Sequence, residues 1–232
     1  MIKEKIDCFV NEISENPNVV LDTNNTHYEI LDDFILDMEI ERGAEYDFII
    51  NKDNLELLSL SDLHFGWEST LKKVDTVLTG GFYFNSIVDA LIMPSTFWKG
   101  AFSIPETTPP PPELEHFEKL GWFEHQPWED GRRGCFIQTP GKIPPPIAFY
   151  SRGWYKILEM TFEEYFDNML KMYGAKGWQF FFIELSNDIP YLNDVLEDMR
   201  IASEQLPLLF PDKDWEFLTK KYVSDKKIYG KE

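Results

Sequence analysis

Apolar positions in this chain recur at two spacings, and both are clearest between Gly134 and Tyr173. Gly134-Cys135-Phe136-Ile137-Gln138, Ile147-Ala148-Phe149-Tyr150 and Trp154-Tyr155-Lys156-Ile157-Leu158 read as three strands, the last two joined by a turn at Ser151-Arg152-Gly153. Consecutive strands with short connections predict an antiparallel meander. The spacing then becomes helical: Phe162, Tyr165, Phe166, Met169, Leu170 and Tyr173 fall on one face. Thr161-Phe162-Glu163-Glu164 is a capping box, Met160 is placed to staple onto Tyr165, and Gly174 ends the helix.

The same reasoning extends outward. Ile6, Phe9, Val10 and Ile13 predict a first helix over 2–15, closed by Asn16-Pro17-Asn18, with Val19-Val20-Leu21 as a short extended piece. Thr26-His27-Tyr28-Glu29 has the form of a capping box, and Ile30, Leu31, Phe34, Ile35 and Met38 predict the buried stripe of a second helix. Tyr46 to Ile50 and Leu55 to Leu58 predict a hairpin. Gly80-Gly81 reads as a turn or hinge, Phe82-Tyr83-Phe84 as a strand, and Ile87 to Met93 as an apolar run too short to classify. Thr107 to Pro112 reads as an extended connector rather than a docking motif, and Glu113 to Leu120 as a short helix. Pro144-Pro145-Pro146 marks a sheet edge or a wide hairpin. Gly177 to Leu185 is buried as helix or strand, and a helix over about 191–205 is broken by Pro207 and Pro211. Asp212 or Asp214 caps a last helix carrying Trp215, Leu218 and Tyr222.

Composition adds bounds. The chain has 232 residues, 43% hydrophobic and 27% charged, enough apolar material for a substantial core. Nineteen Phe, ten Tyr and seven Trp supply either a Phe-rich core or an aromatic binding face. The formal net charge is −19. Direct nucleic-acid binding needs a basic patch, and an anionic membrane repels such a chain. Solubility alone accounts for the charge; so does a basic protein partner steered in by it. The two cysteines, Cys8 and Cys135, form no Cys-x-x-Cys pair and read as small hydrophobes in a reducing, cytoplasmic setting. No stretch reads as a signal peptide or a membrane span.

No motif carries chemistry. His27, His64, His116 and His125 stand outside any metal-ligand spacing, and neither a nucleophile elbow nor a phosphate-binding glycine loop occurs. The reading is therefore non-enzymatic, with no cofactor and no metal. Buried carboxylate pairs are not visible in a sequence, and a deep pocket holding two acids with raised pKa values would revive an enzyme reading. The polar turn Glu129-Asp130-Gly131-Arg132-Arg133, flanked by Trp128, is either a recognition loop or a self-paired surface turn. With Trp154, the residues Trp128, Glu129, Asp130, Arg132 and Arg133 make the candidate partner-binding set.

Several phrases together resemble the SUKH superfamily, nearest its Smi–Knr branch of cell-wall-synthesis regulators and toxin-immunity proteins. They are Asp130-Gly131-Arg132-Arg133-Gly134-Cys135-Phe136-Ile137, Ile147-Ala148-Phe149-Tyr150, Met160-Thr161-Phe162-Glu163-Glu164-Tyr165-Phe166, Thr26 to Phe34 and Leu55 to Leu63. The family's Leu-Pro-x-x-Tyr and Asn-Gly phrases are absent, with Glu41 to Tyr46 in their place, and residues 65–125 have no counterpart. The expected fold is α+β, a mainly antiparallel sheet flanked by N-terminal and C-terminal helices, in one domain over 1–232 with a helical extension from about 175. The resemblance implies an immunity protein that sequesters a basic toxin domain such as a nuclease. Its alternative is a regulatory scaffold in which the proline runs carry partner contacts.

Overall fold

Eight strands and six α-helices account for most of the residues described by the computed structural model, which are 2–22, 26–48, 60–71, 75–92, 117–127, 131–139, 141 and 145–230. The strands are β1 (Val19–Leu21), β2 (His27–Ile30), β3 (Leu60–Ser69), β4 (Thr79–Phe84), β5 (Leu120–His125), β6 (Arg132–Ile137), β7 (Ile147–Ser151) and β8 (Trp154–Leu158). The helices are α1 (Ile2–Ser14), α2 (Asp33–Glu45), α3 (Ile87–Ile92), α4 (Phe162–Lys171), α5 (Leu192–Leu209) and α6 (Glu216–Tyr229), with a 3-10 turn at Trp178–Phe182. From β3 to β8 each strand pairs antiparallel with the next, while β1 and β2 both pair with β3, end to end along its outer edge. The fold is α+β, with an antiparallel sheet and helices at both ends of the chain.

The predicted meander is β6-β7-β8, and the expected capping box at Thr161 forms: its hydroxyl accepts from Glu164 N–H at 3.2 Å, and Glu164 accepts from Thr161 N–H at 2.7 Å. Pro145 and Pro146 lie in a wide hairpin between β6 and β7, inside the sheet and not at its edge. One face of the sheet is covered. Phe65, Phe82, Phe84, Phe149 and Tyr165 meet α1 through Phe9, and they meet the C-terminal segment through Trp178, Phe180, Met199 and Leu218, in one continuous core. The opposite face carries a smaller cluster of Phe117, Leu120, Cys135, Ala148 and Tyr150.

Five expectations are corrected. Thr26 starts no helix: its hydroxyl donates to the Asp22 carbonyl at 2.7 Å, and the next residues form β2. Helix α2 begins six residues later, where Asp32 accepts from Ile35 N–H at 2.9 Å. That shift reverses the helix: Leu36 and Gly43 are buried and Ile40 packs against the core, while Phe34, Ile35 and Met38 face outward. Gly80-Gly81 is no hinge but part of β4. The Trp67 indole lies across Gly80, where an added Cβ would sit 2.3 Å from the ring, so only glycine fits. Tyr46 to Phe48 form the C-cap and turn after α2 instead of a strand, because Asp47 takes a left-handed conformation (φ 64°). Pro207 lies inside α5; with only the last turn beyond it, Phe210 N–H still reaches Leu206 O at 2.8 Å.

The remaining elements resolve open readings. Ile87 to Ile92 is helical, Gly177 to Leu185 holds the buried 3-10 turn, and Leu120 opens a strand rather than closing a helix. Asp214 accepts from Glu216 N–H at 3.0 Å at the start of α6. The rest of the 46–58 hairpin, Thr107 to Pro112 and Glu113 to His116 lie outside the described residues. Cys135 is buried, as expected, whereas Cys8 is exposed.

Candidate functional site

Neighbouring residues on a strand point to opposite faces, so β6 separates the two candidate arginines. Arg132 enters the helix-covered face. Its Nη2 donates to Asp198 Oδ2 on α5 at 2.8 Å, and its guanidinium lies 5.0 Å from the Phe180 ring centroid. Lys176 holds the other Asp198 oxygen at 3.2 Å. Arg133 enters the opposite face, 4.9 Å over the Trp122 ring, with Nη1 donating to the Arg132 carbonyl. Both arginines are buried, at 2% and 5% exposure, and so are interior anchors of the free chain. Trp154 shares the face of Arg132, through the register Arg132–Ser151–Trp154, and its indole N–H donates to Asp188 at 3.0 Å. Trp128, Glu129 and Asp130 lie outside the described residues.

Beside Arg132 opens a cleft of about 450 Å³ between the β3–β4 end of the sheet and α5. Its charged lining is Arg132, Arg152, Lys176, Asp194, Glu197 and Asp198. Arg152 lies 3.7 Å from Asp194, and Glu197 is bound by Arg200 at 2.6 Å. Arg132 and Lys176 on Asp198, and Arg152 on Asp194, therefore tie α5 to the rest of the fold, while Glu197 pairs along α5 itself. Gln205 adds to the clamp, donating to Thr76 O at 2.6 Å and accepting from the Ser69 hydroxyl at 2.9 Å.

The one strongly perturbed carboxylate among the described residues was hidden in the sequence. Glu124 follows a bulge in β5, where the register slips between Trp122 and Glu124. The slip turns both Phe123 and Glu124 into the covered core. Glu124 is 0% exposed; Oε2 accepts from the Tyr165 hydroxyl at 2.9 Å and from Gly134 N–H at 3.1 Å, with Gln179 Nε2 at 3.4 Å. Burial pushes its carboxyl up to about 7, against the lowering effect of those donors and of Arg133. Gly134 makes room for the contact, since a Cβ there would lie 2.5 Å from the Tyr165 hydroxyl. The cluster is a single acid in a closed core, reached by the Tyr165 hydroxyl and the Gln179 amide. Its chemistry is a proton held or released with folding.

The opposite face has its own polar row. Cross-strand register runs from His64 through Tyr83, His125 and Arg133 to Tyr150 and Tyr155. The His64 and Tyr83 ring centroids are 4.4 Å apart, and those of Tyr83 and His125 5.0 Å apart. These residues are scattered along the sequence between residues 64 and 155, and only register unites them. Among the described residues no three His, Cys, Asp or Glu side chains gather as metal ligands, and no helix is long and apolar enough to cross a membrane. No family model, curated protein or solved structure matches this chain.

Proposed function

We propose that this chain is a non-catalytic protein-binding module that captures a basic protein partner, in the manner of an immunity protein that neutralises a toxin domain. The observation that carries the reading is the net charge of −19. Its acids are spread over exposed helix faces: Glu163 and Asp167 on α4, Asp194 and Glu204 on α5, Glu216 on α6. Several bases are already engaged, as in Lys5–Asp167 at 2.7 Å and Lys213–Glu12 at 2.9 Å. Such a surface attracts a basic partner over several ångströms and repels nucleic acid and anionic lipid. The toxin-neutralising role is what the SUKH resemblance adds to that electrostatics.

Co-expression with the product of the neighbouring gene tests it. The expected result is co-purification, rescue of growth, and an association rate that falls steeply with salt. A partner that neither rescues growth nor binds, or that binds equally fast at all ionic strengths, would falsify the reading.

A further inference from the structure

Helix α2 buries one narrow side and leaves an apolar side uncovered. Phe34 is 71% exposed, Met38 53% and Ile35 39%, on adjoining positions of its first two turns. Outside α2, its C-cap Tyr46 and α6, the exposed large apolar side chains among the described residues are Val20, Val77, Ile157, Tyr191 and Leu208, all far apart in sequence. Val223 and Ile228 share α6, but five residues place them roughly 140° apart around the helix. Grouped exposure of this kind marks an interaction surface, where scattered exposure does not.

Charge says what covers it. Asp33, Asp37, Glu41 and Glu45 are exposed on the same helix. Its only basic residue, Arg42, is committed to Glu39 and to Asp89 of α3, the latter at 2.6 Å. The outward side is thus an apolar patch with a stripe of acids, at i, i+4 spacing, along one edge. A second copy would bring these acids against their own kind on a chain of net charge −19, so like charge opposes self-association.

We infer that the outward side of α2 is the docking surface for a basic amphipathic segment of a partner protein. The partner's apolar side chains cover Phe34, Ile35 and Met38, and its Lys or Arg side chains meet the acidic stripe. This rests on the proposed function and adds the place and chemistry of the contact.

The probes are two synthetic peptides of the same Lys/Leu composition and about 18 residues, one ordered as an amphipathic helix and one scrambled. Each is titrated into the full chain, into F34Q/M38Q and into the distant control V223Q/I228Q, at low and moderate salt. All the substituted side chains are exposed, so circular dichroism should show unchanged folds; the single variants F34Q and M38Q carry the test if the pair disturbs α2. The wild type and the control should prefer the amphipathic peptide by about tenfold, and F34Q/M38Q should lose that preference. Retention of the preference by F34Q/M38Q, or its absence from the wild type, overturns the docking surface. A concentration-dependent dimer abolished by F34Q/M38Q overturns it too, since the occupant would then be a second copy. If both peptides bind every variant alike and release with salt, acidic capture stands without α2. If neither binds even at low salt, acidic capture falls as well.

Discussion

At the scale of single residues, Glu124 is the most consequential side chain in the molecule. It is an ionisable group inside an aromatic core, and Oε1 has no hydrogen-bond partner, nor has Gln179 Oε1. A neutral carboxyl suits such a place, because burial penalises the charged form. Well below pH 4.5, Glu124 is protonated in the folded and the unfolded chain alike. Above that the unfolded chain releases the proton, while the folded chain keeps it until about pH 7. Stability therefore falls as pH rises through this window, by on the order of 3 kcal/mol from this group. Glu124→Gln retains an acceptor for Tyr165 and Gly134 and removes the titration. Urea unfolding of wild type and variant across that range should converge at the acid end and separate at neutral pH, the variant being the more stable. Parallel pH profiles would mean that Glu124 does not titrate with folding.

At the scale of elements, α5 is held to the sheet by apolar side chains such as Val195, Met199 and Leu206 and by a buried ion pair among them. Arg132 on β6 and Asp198 on α5 are separated by 66 positions and meet at 2.8 Å, almost without solvent. Removing one partner strands a buried charge, so Asp198→Ala should cost about 3–5 kcal/mol in denaturant unfolding. Replacing both with apolar residues, as in R132M/D198L, should recover most of that loss. A double variant as unstable as the single one would show that the pair does more than neutralise itself. Elements also differ in how readable they are. Helix α4 is announced by Thr161, Glu164 and a wide apolar stripe, and it forms there. In α2 the buried stripe is only Leu36, Ile40 and Gly43, and the richer apolar side of the wheel is the exposed one.

At the scale of the whole molecule, 41 acids against 22 bases make the folded state repel itself. Raising NaCl from about 20 mM to about 300 mM shortens the screening length severalfold, to about 6 Å. The melting temperature should rise by about 3 °C, roughly 1 kcal/mol for a chain of this size. A melting temperature that falls with salt would indicate that the ion pairs, such as Arg200 with Glu197 and Glu204, outweigh the net repulsion.

What the sequence determined by itself is what depends on near neighbours. Period-two and helical spacing, a Thr–Glu capping box and Gly174 suffice for β6, β7, β8 and α4, because each is signalled by residues within the element or in the turn beside it. The tertiary structure decided which faces are inside. Arg132 and Arg133 are adjacent and chemically alike, yet one reaches Asp198 and the other Trp122, because β6 is covered by different elements on its two sides. Trp67 makes Gly80 a strand residue, and the β5 bulge sends Glu124 into the core. Phe34 and Met38 stay outside because Leu36 and Gly43 meet the core first. Burial depends on partners that fold in from far along the chain, and local periodicity carries no record of them.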